Sequence, residues 1–292
     1  MNLFQKISVC LEFMRYKNCI MAGVSSVAGA LIAASLLNYS MGADLFYNVY
    51  HMVFIFSMVF LATGAGNMLN DYYDINIDRV NKPNRPLPSG RISMKTAVYL
   101  AIVCFVAAFF IAFLIHPVSG IIGFINISIL IWYAKTLKRT ILLGNLSIAY
   151  LTGSTFLFGA SFFGVDGIVV MLPLALLAFL ATAAREIVKD IEDIKGDAED
   201  GAVTFPIKYG EKPASYLAAA FGFLAVILSP LPYFMGIMTK TYFIVLILGI
   251  FCFLYAIYVL LGKKNYAMSS KFFKIAMFMA LAAFIAGLFE FF

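Results

Sequence analysis

Residues Asn70 to Arg91 read NDYYDINIDRVNKPNRPLPSGR, a run of acids, bases and prolines inside a chain that is otherwise mostly apolar. A second polar stretch, Arg185 to Gly201, reads REIVKDIEDIKGDAEDG. Most of the 15 acidic residues of the chain fall in or beside these two stretches. Two carboxylate clusters at the ends of apolar segments point to divalent metal holding a phosphorylated substrate against a lipid phase.

The surrounding sequence sets that phase. Of 292 residues, 63% are hydrophobic and 12% charged, with a mean hydropathy of +0.95. A soluble domain carries roughly 25% charged residues, so the bilayer must be the solvent here. Nine runs are long enough to cross a hydrocarbon core about 30 Å thick: 18–37, 50–69, 95–115, 118–134, 141–163, 167–187, 214–236, 241–261 and 271–292. The first follows basic residues, as a signal peptide would, but eight more runs behind it read as a retained first span. Before it, Phe4, Ile7, Leu11 and Met14 recur at helical spacing between Lys6, Glu12 and Arg15. Residues 1–16 therefore read as an interfacial helix. The whole chain reads as one membrane domain, with 70–94 and 188–213 as cytosolic loops.

Bases fix the expected orientation. With nine spans and a cytoplasmic N-terminus, every base except Lys240 falls on the cytoplasmic side. Both acidic stretches land on that face. The net charge of +6 is then topology and contact with anionic lipid, not a nucleic-acid surface. Cys10, Cys19, Cys104 and Cys252 show no metal-ligand or disulfide spacing. His51 and His116 fall on the opposite side from the acids, as loop or helix-end residues.

Asn70, Asp74 and Asp78 step by four, so a helix would stack them on one face, with Asp71 to the side. Glu186, Asp190, Asp193 and Asp197 form a second stripe, which Gly196 is expected to end before Asp197. Magnesium favours carboxylate and phosphate oxygens, and a diphosphate is held best between carboxylates on opposing walls. Arg79, Lys82, Arg85, Arg91, Lys189 and Lys195 lie among the acids and suit phosphate oxygens. They also serve as ordinary topology anchors. Pro83, Pro86 and Pro88, then Ser89-Gly90, predict a rigid extended connector of about fifteen residues, read as a lid. Thr204 to Gly210 is a second segment of the same kind. Tyr133, Lys135, Lys138 and Arg139 bring a phenol and three bases to the same face.

In this setting Asn70-x3-Asp74-x3-Asp78 and Asp190-x2-Asp193-x3-Asp197, each following an apolar span, resemble the paired motifs of the UbiA superfamily of intramembrane prenyltransferases. The resemblance takes in Arg15 and Asn18, Tyr133, Lys138-Arg139 and Gly144-Asn145. It implies an all-α membrane fold of nine helices around a central cavity with cytosolic cap loops. It also implies Mg²⁺ bound by Asn70, Asp74, Asp78, Asp190, Asp193 and Asp197, with more than one register open in the second motif. Donor and acceptor contacts implied are Arg15, Asn18, Asp71, Arg79, Lys82, Arg85, Arg91, Tyr133, Lys138, Arg139, Asn145 and Lys189.

The wording NDYYDINIDRVNKPNRPLPSGRIS is most similar to the branch of archaeal ether-lipid synthesis, while chlorophyll-forming members share a similar NRPLPSG. That branch implies geranylgeranyl diphosphate as isoprenyl diphosphate donor. The implied acceptor is a lipid-like phosphorylated one, geranylgeranylglyceryl phosphate, joined at its sn-2 hydroxyl, with Arg15, Lys138 or Arg139 as its phosphate site. An aromatic acceptor of quinone or chlorophyll type is the alternative. A secondary transporter fits less well, because transporters gather polar residues near the midplane.

Overall fold

The computed structural model describes residues 3–40, 44–199 and 201–288. The first two residues of the interfacial segment and the last four of the ninth run lie outside them. Every regular element described is helical: α1 (Leu3–Met14), α2 (Tyr16–Leu36), α3 (Leu45–Tyr73), α4 (Ile75–Asn81), α5 (Met94–Ile115), α6 (Pro117–Lys135) and α7 (Leu143–Ala160). There follow α8 (Gly164–Glu192), α9 (Ile194–Glu199), α10 (Phe205–Tyr209), α11 (Glu211–Leu228), α12 (Leu231–Phe234), α13 (Lys240–Tyr258) and α14 (Tyr266–Leu288). Helices are the economical answer in lipid, because each satisfies its own backbone polar groups.

Local chemistry sets the ends. Asp44 accepts from Tyr47 N at 3.0 Å at the start of α3, and Ser93 accepts from Thr96 N at 3.1 Å at the start of α5. Pro117 opens α6, where its missing N–H costs nothing, and His116 caps it through Nδ1. Pro230 and Pro232 interrupt the seventh run, so α11 stops at Leu228 and the short α12 follows.

Eight stretches among the described residues are long and apolar enough to cross a membrane. They match the nine runs except at Leu143–Glu192, a single stretch of 50 residues that joins the fifth and sixth. Within it the chain turns at the 3₁₀ segment Ser161–Phe163 and at Gly164, whose φ is 69°. The helices on either side, α7 and α8, pack along one another. Gly153 makes this contact possible: a Cβ there would come within 2.6 Å of Ala175 O. Gly159 does the same for α7 on α2, where a Cβ would collide with Ser26 O. Small residues that let backbones approach are the usual currency of membrane helix packing.

One core joins α1, α2, α3 and α5 around Phe13, Ile55, Met58 and Phe105. A second joins α8, α11, α13 and α14 around Ile187, Val188, Leu260 and Phe273. A third binds α2, α7, α8, α13 and α14 further along, around Phe156, Leu174, Tyr242 and Phe284. On α1, Phe4, Ile7 and Leu11 are exposed as an interfacial stripe requires, but Met14 is buried, packed so near Gly64 that a Cβ there would collide with its Cε.

The two polar stretches are more ordered than loops. The 70–94 segment contains α4, and the 188–213 segment contains α9 and α10. Between Lys82 and Ser93 the chain is not extended as its prolines predict but folded into successive turns. Backbone bonds Ser89 N to Arg85 O at 3.0 Å and Ile92 N to Pro86 O at 3.1 Å close it on itself. Proline fixes φ, which type I turns share with extended chain. Gly196 does not end the second stripe either: the break comes earlier, at Asp193, and α9 runs through Gly196 to Glu199.

Candidate active site

The stripes survive, with a pause in each. Helix α3 ends at Tyr73 and Asp74 caps it, yet Asp74 N still bonds Asn70 O (3.0 Å) and Asp78 N bonds Asp74 O (2.8 Å). In the second stretch Asp193 N bonds Lys189 O (2.9 Å) and Asp197 N bonds Asp193 O (3.0 Å). The four-residue spacing therefore keeps its register across both breaks.

The first motif is saturated with bases. Asp71, 2% exposed, is paired with Arg15 and, at 3.1 Å, with Arg85. Arg85 also reaches Asp78 at 2.7 Å, and Lys138 pairs with Asp74. Arg15 is placed by its own backbone, whose φ of 55° breaks α1 from α2. Arg85 comes from the folded connector, so that segment lies against the motif. In the second motif Asn145 Nδ2 donates to Asp190 Oδ2 at 2.9 Å, and Lys189 acts on the same carboxylate through space. Val203 N donates to Arg139 O at 3.0 Å, tying the Thr204–Gly210 segment to the connection between α6 and α7.

Tyr133 joins the two motifs. Its phenol lies within electrostatic reach of Asp74 from the first and of Glu186, Asp190 and Asp197 from the second. Both acidic stretches thus meet at one end of the bundle. The imidazole of His51 packs at the other end, with Phe162 beside the turn into α8, and His116 lies against Gly164 there.

Other expected contacts are elsewhere. Arg91 is held by Glu12 on α1 at 2.7 and 2.8 Å, and this guanidinium keeps the Glu12 carboxyl below its usual pKa. Arg79, Lys82 and Asp193 are exposed to solvent.

Below the motifs runs a cavity of about 430 Å³, within the range of about 300–1,000 Å³ usual for small-molecule sites. Its lining includes Asn18, Asn67, Asn70, Arg185, Glu186 and Lys274 with several Ser and Thr hydroxyls, Thr182 among them; the rest is largely apolar and reaches Phe156, Tyr242 and Phe284. Gly66 and Gly249 line it. Gly64, Gly153 and Gly159 instead serve helix contacts. Glu186 belongs to the second carboxylate stripe, whereas Asn67, Arg185 and Lys274 were not singled out by sequence as site residues. Their signal was available: ionisable side chains inside apolar spans face the bundle interior or a cavity, and Asn67 sits one turn before Asn70.

These donors fit magnesium. Asn70 Oδ1 is buried without a hydrogen-bond partner, and the other candidates are hard carboxylate oxygens. Among the described residues no three acidic, histidine or cysteine side chains converge as a ready-made centre. That is the usual condition for Mg²⁺, which takes one or two carboxylates and completes its shell with water and substrate phosphate.

Paired acidic motifs at one end of a helical bundle, above a deep apolar cavity, define an intramembrane enzyme for a phosphorylated, greasy substrate. A profile of the UbiA prenyltransferase family matches residues 23–282, and the chain belongs to that family. It is 53% identical over 283 residues to the digeranylgeranylglyceryl phosphate synthase of Methanosarcina barkeri, covering 95% of this chain and 97% of that one. The same enzyme of Methanococcoides burtonii is 52% identical, with 95% and 98% covered. A solved structure of digeranylgeranylglyceryl phosphate synthase superposes with a TM-score of 0.79 at 38% identity, covering 98% of this chain and 99% of that one. A UbiA homologue of Archaeoglobus fulgidus bound to GPP and Mg²⁺ shares the fold, at TM-score 0.65 and 16% identity, with 96% and 99% covered.

Proposed function

We infer that the protein transfers a geranylgeranyl group from geranylgeranyl diphosphate to the sn-2 hydroxyl of geranylgeranylglyceryl phosphate, releasing diphosphate. The observation that carries this reading is that one short stretch, the connection between α6 and α7 with the first turn of α7, engages both acidic motifs. Lys138 pairs with Asp74 and Asn145 donates to Asp190, beside a largely apolar cavity whose polar lining includes Asn70 and Glu186. More than half identity to named synthases over nearly the whole chain supports the choice of acceptor.

Asn70, Asp74 and Asp78 would hold one Mg²⁺ and Asp190, Asp193 and Asp197 another. The metal would supply charge neutralisation on the departing diphosphate. Around it, the chain's own groups do the rest. Lys138 and Arg85, already seated on Asp74 and Asp78, stand where donor phosphate oxygens arrive and add charge-assisted bonds. Asn145 fixes the Asp190 carboxylate, and Asp71 anchors Arg15 and Arg85. The allylic C1–O bond breaks, the acceptor hydroxyl oxygen forms the ether bond at C1, and the hydroxyl proton leaves to the released diphosphate. Apolar walls exclude the water that would otherwise capture the allylic cation and bury the prenyl chain at about 0.8 kcal/mol per CH₂.

Nine crossings, with α7 and α8 counted separately, and a cytoplasmic active-site face complete the reading. The bases around the motifs support that orientation. In the test, purified protein in lipid nanodiscs receives both substrates and Mg²⁺, and product is identified by mass. A digeranylgeranyl ether that disappears with EDTA is the expected result. Product from an aromatic acceptor, and none from the glyceryl phosphate, would overturn the assignment.

A further inference from the structure

The proposed acceptor carries a phosphate monoester, which needs cations separate from those serving the donor. Of the three bases that sequence offers for this, Arg15, Lys138 and Arg139, the first two are engaged by carboxylates of the first motif. Two other cations line the cavity itself, Lys274 on α14 and Arg185 on α8. These helices pack along each other.

Each shows a spare bonding capacity. Lys274 makes no ion pair among the described residues, although it sits inside a membrane-spanning helix. Its side chain is exposed and lines the cavity, and an ionisable residue of a spanning helix that faces a cavity marks a substrate path by default. Arg185 is paired on one side with Glu186 at 2.6 Å, while its Nε is buried with no hydrogen-bond partner. A buried donor left unpaired costs roughly 1–3 kcal/mol, so an incoming acceptor oxygen there is strongly favoured. On the same wall Thr182 Oγ1 is likewise buried and unpartnered. One cavity wall thus offers two cations and a hydroxyl with unused hydrogen-bonding capacity.

We propose that Lys274 and Arg185 form the binding site for the phosphate monoester of the acceptor, and so select a phosphorylated over an unphosphorylated glyceryl ether. This rests on the acceptor assignment above. Placed on the cavity wall, the pair would hold the glyceryl headgroup while its prenyl chain follows the apolar lining.

The test compares geranylgeranylglyceryl phosphate with geranylgeranylglycerol as acceptors, using wild type, Lys274→Gln and Lys274→Arg in nanodiscs. Losing one charged hydrogen bond should lower kcat/KM on the phosphorylated acceptor roughly 10–100-fold, mainly through KM. The alcohol and the KM for geranylgeranyl diphosphate should be unaffected, and Lys274→Arg should recover most of the loss. Equal losses on both acceptors, or a raised donor KM, would overturn the proposal, as would a wild type with no preference for phosphate. A wild type that makes no product from the phosphorylated acceptor would instead overturn the acceptor assignment itself. Monodisperse elution and acceptor-independent donor binding by each variant separate these outcomes from misfolding.

Discussion

Asp74 and Asp193 occupy equivalent places in the chain. Each caps a 29-residue helix with nearly the same backbone angles, φ −93° and ψ 7° for Asp74, φ −94° and ψ 7° for Asp193. Each is followed by an isoleucine that opens a short helix, and four residues on comes a further aspartate, Asp78 or Asp197. The neighbourhood repeats as well: α2 packs on α3 as α7 packs on α8, and α5 follows α3 as α11 follows α8. The chain thus carries two copies of one local device, and metal-bridged diphosphate is the ligand proposed for the pair.

From that equivalence, Asp74→Ala and Asp193→Ala should be comparably damaging. Each should lower transfer by roughly 10²–10³-fold, the scale for removing one preorganised charge-stabilising group. Insertion and monodispersity should persist, because both residues sit at helix ends. Product formation under saturating donor measures this. Near-normal turnover in either variant would remove that motif from the metal assignment.

Asp71 has a different task. It is buried, and both Arg15 and Arg85 rest on it, so Asp71→Asn should loosen the junction of α1 and α2 together with the folded connector. Breaking a buried pair costs roughly 3–5 kcal/mol, and the lower end applies because both arginines keep partial contact with water. A lowered unfolding temperature in detergent and a raised donor KM are expected together. A drop in kcat alone would instead make Asp71 a metal ligand.

Gly159→Ala tests the packing. The added methyl would collide with the Ser26 carbonyl, and overpacking of this kind costs about 1–3 kcal/mol. Thermal stability should fall without a change in substrate preference. Gly196→Ala, inside α9 with nothing near the new methyl, is the contrasting control and should not lower stability, since alanine is the better helix former.

Sequence carried the helices and the motifs because both rest on spacing: apolar runs of spanning length, and carboxylates four residues apart. It did not carry the facing of residues inside the spans. Helices such as α3 and α7 are apolar all round, so periodicity offers no inward face; Gly64 and Gly66 look alike in sequence, yet one meets Met14 and the other lines the cavity. Proline spacing in the connector signals restricted φ, which left turns and extended chain undistinguished. The partners of Arg15, Arg85 and Lys138 depend on contacts 7 to 64 residues apart, which no local pattern encodes.

Arg85 and Arg91 look interchangeable in the sequence and are not. Arg85 Nη1 is shared between Asp71 and Asp78 at 3.1 and 2.7 Å, whereas Arg91 holds Glu12 on α1. Arg85→Ala should therefore cut transfer at least tenfold more than Arg91→Ala. The Glu12–Arg91 pair is largely exposed, so its loss should cost under about 1 kcal/mol of stability. Its pH dependence has a definite sign. The folded Glu12 carboxyl titrates below the ordinary value of 4.5, so the pair contributes fully above that pH and its contribution fades as pH falls through the depressed value. Between neutral pH and 5, the stability difference between wild type and Glu12→Gln should stay flat, and it should shrink only in more acid solution. A difference that grew on acidification would mean that Arg91 is held by something other than Glu12.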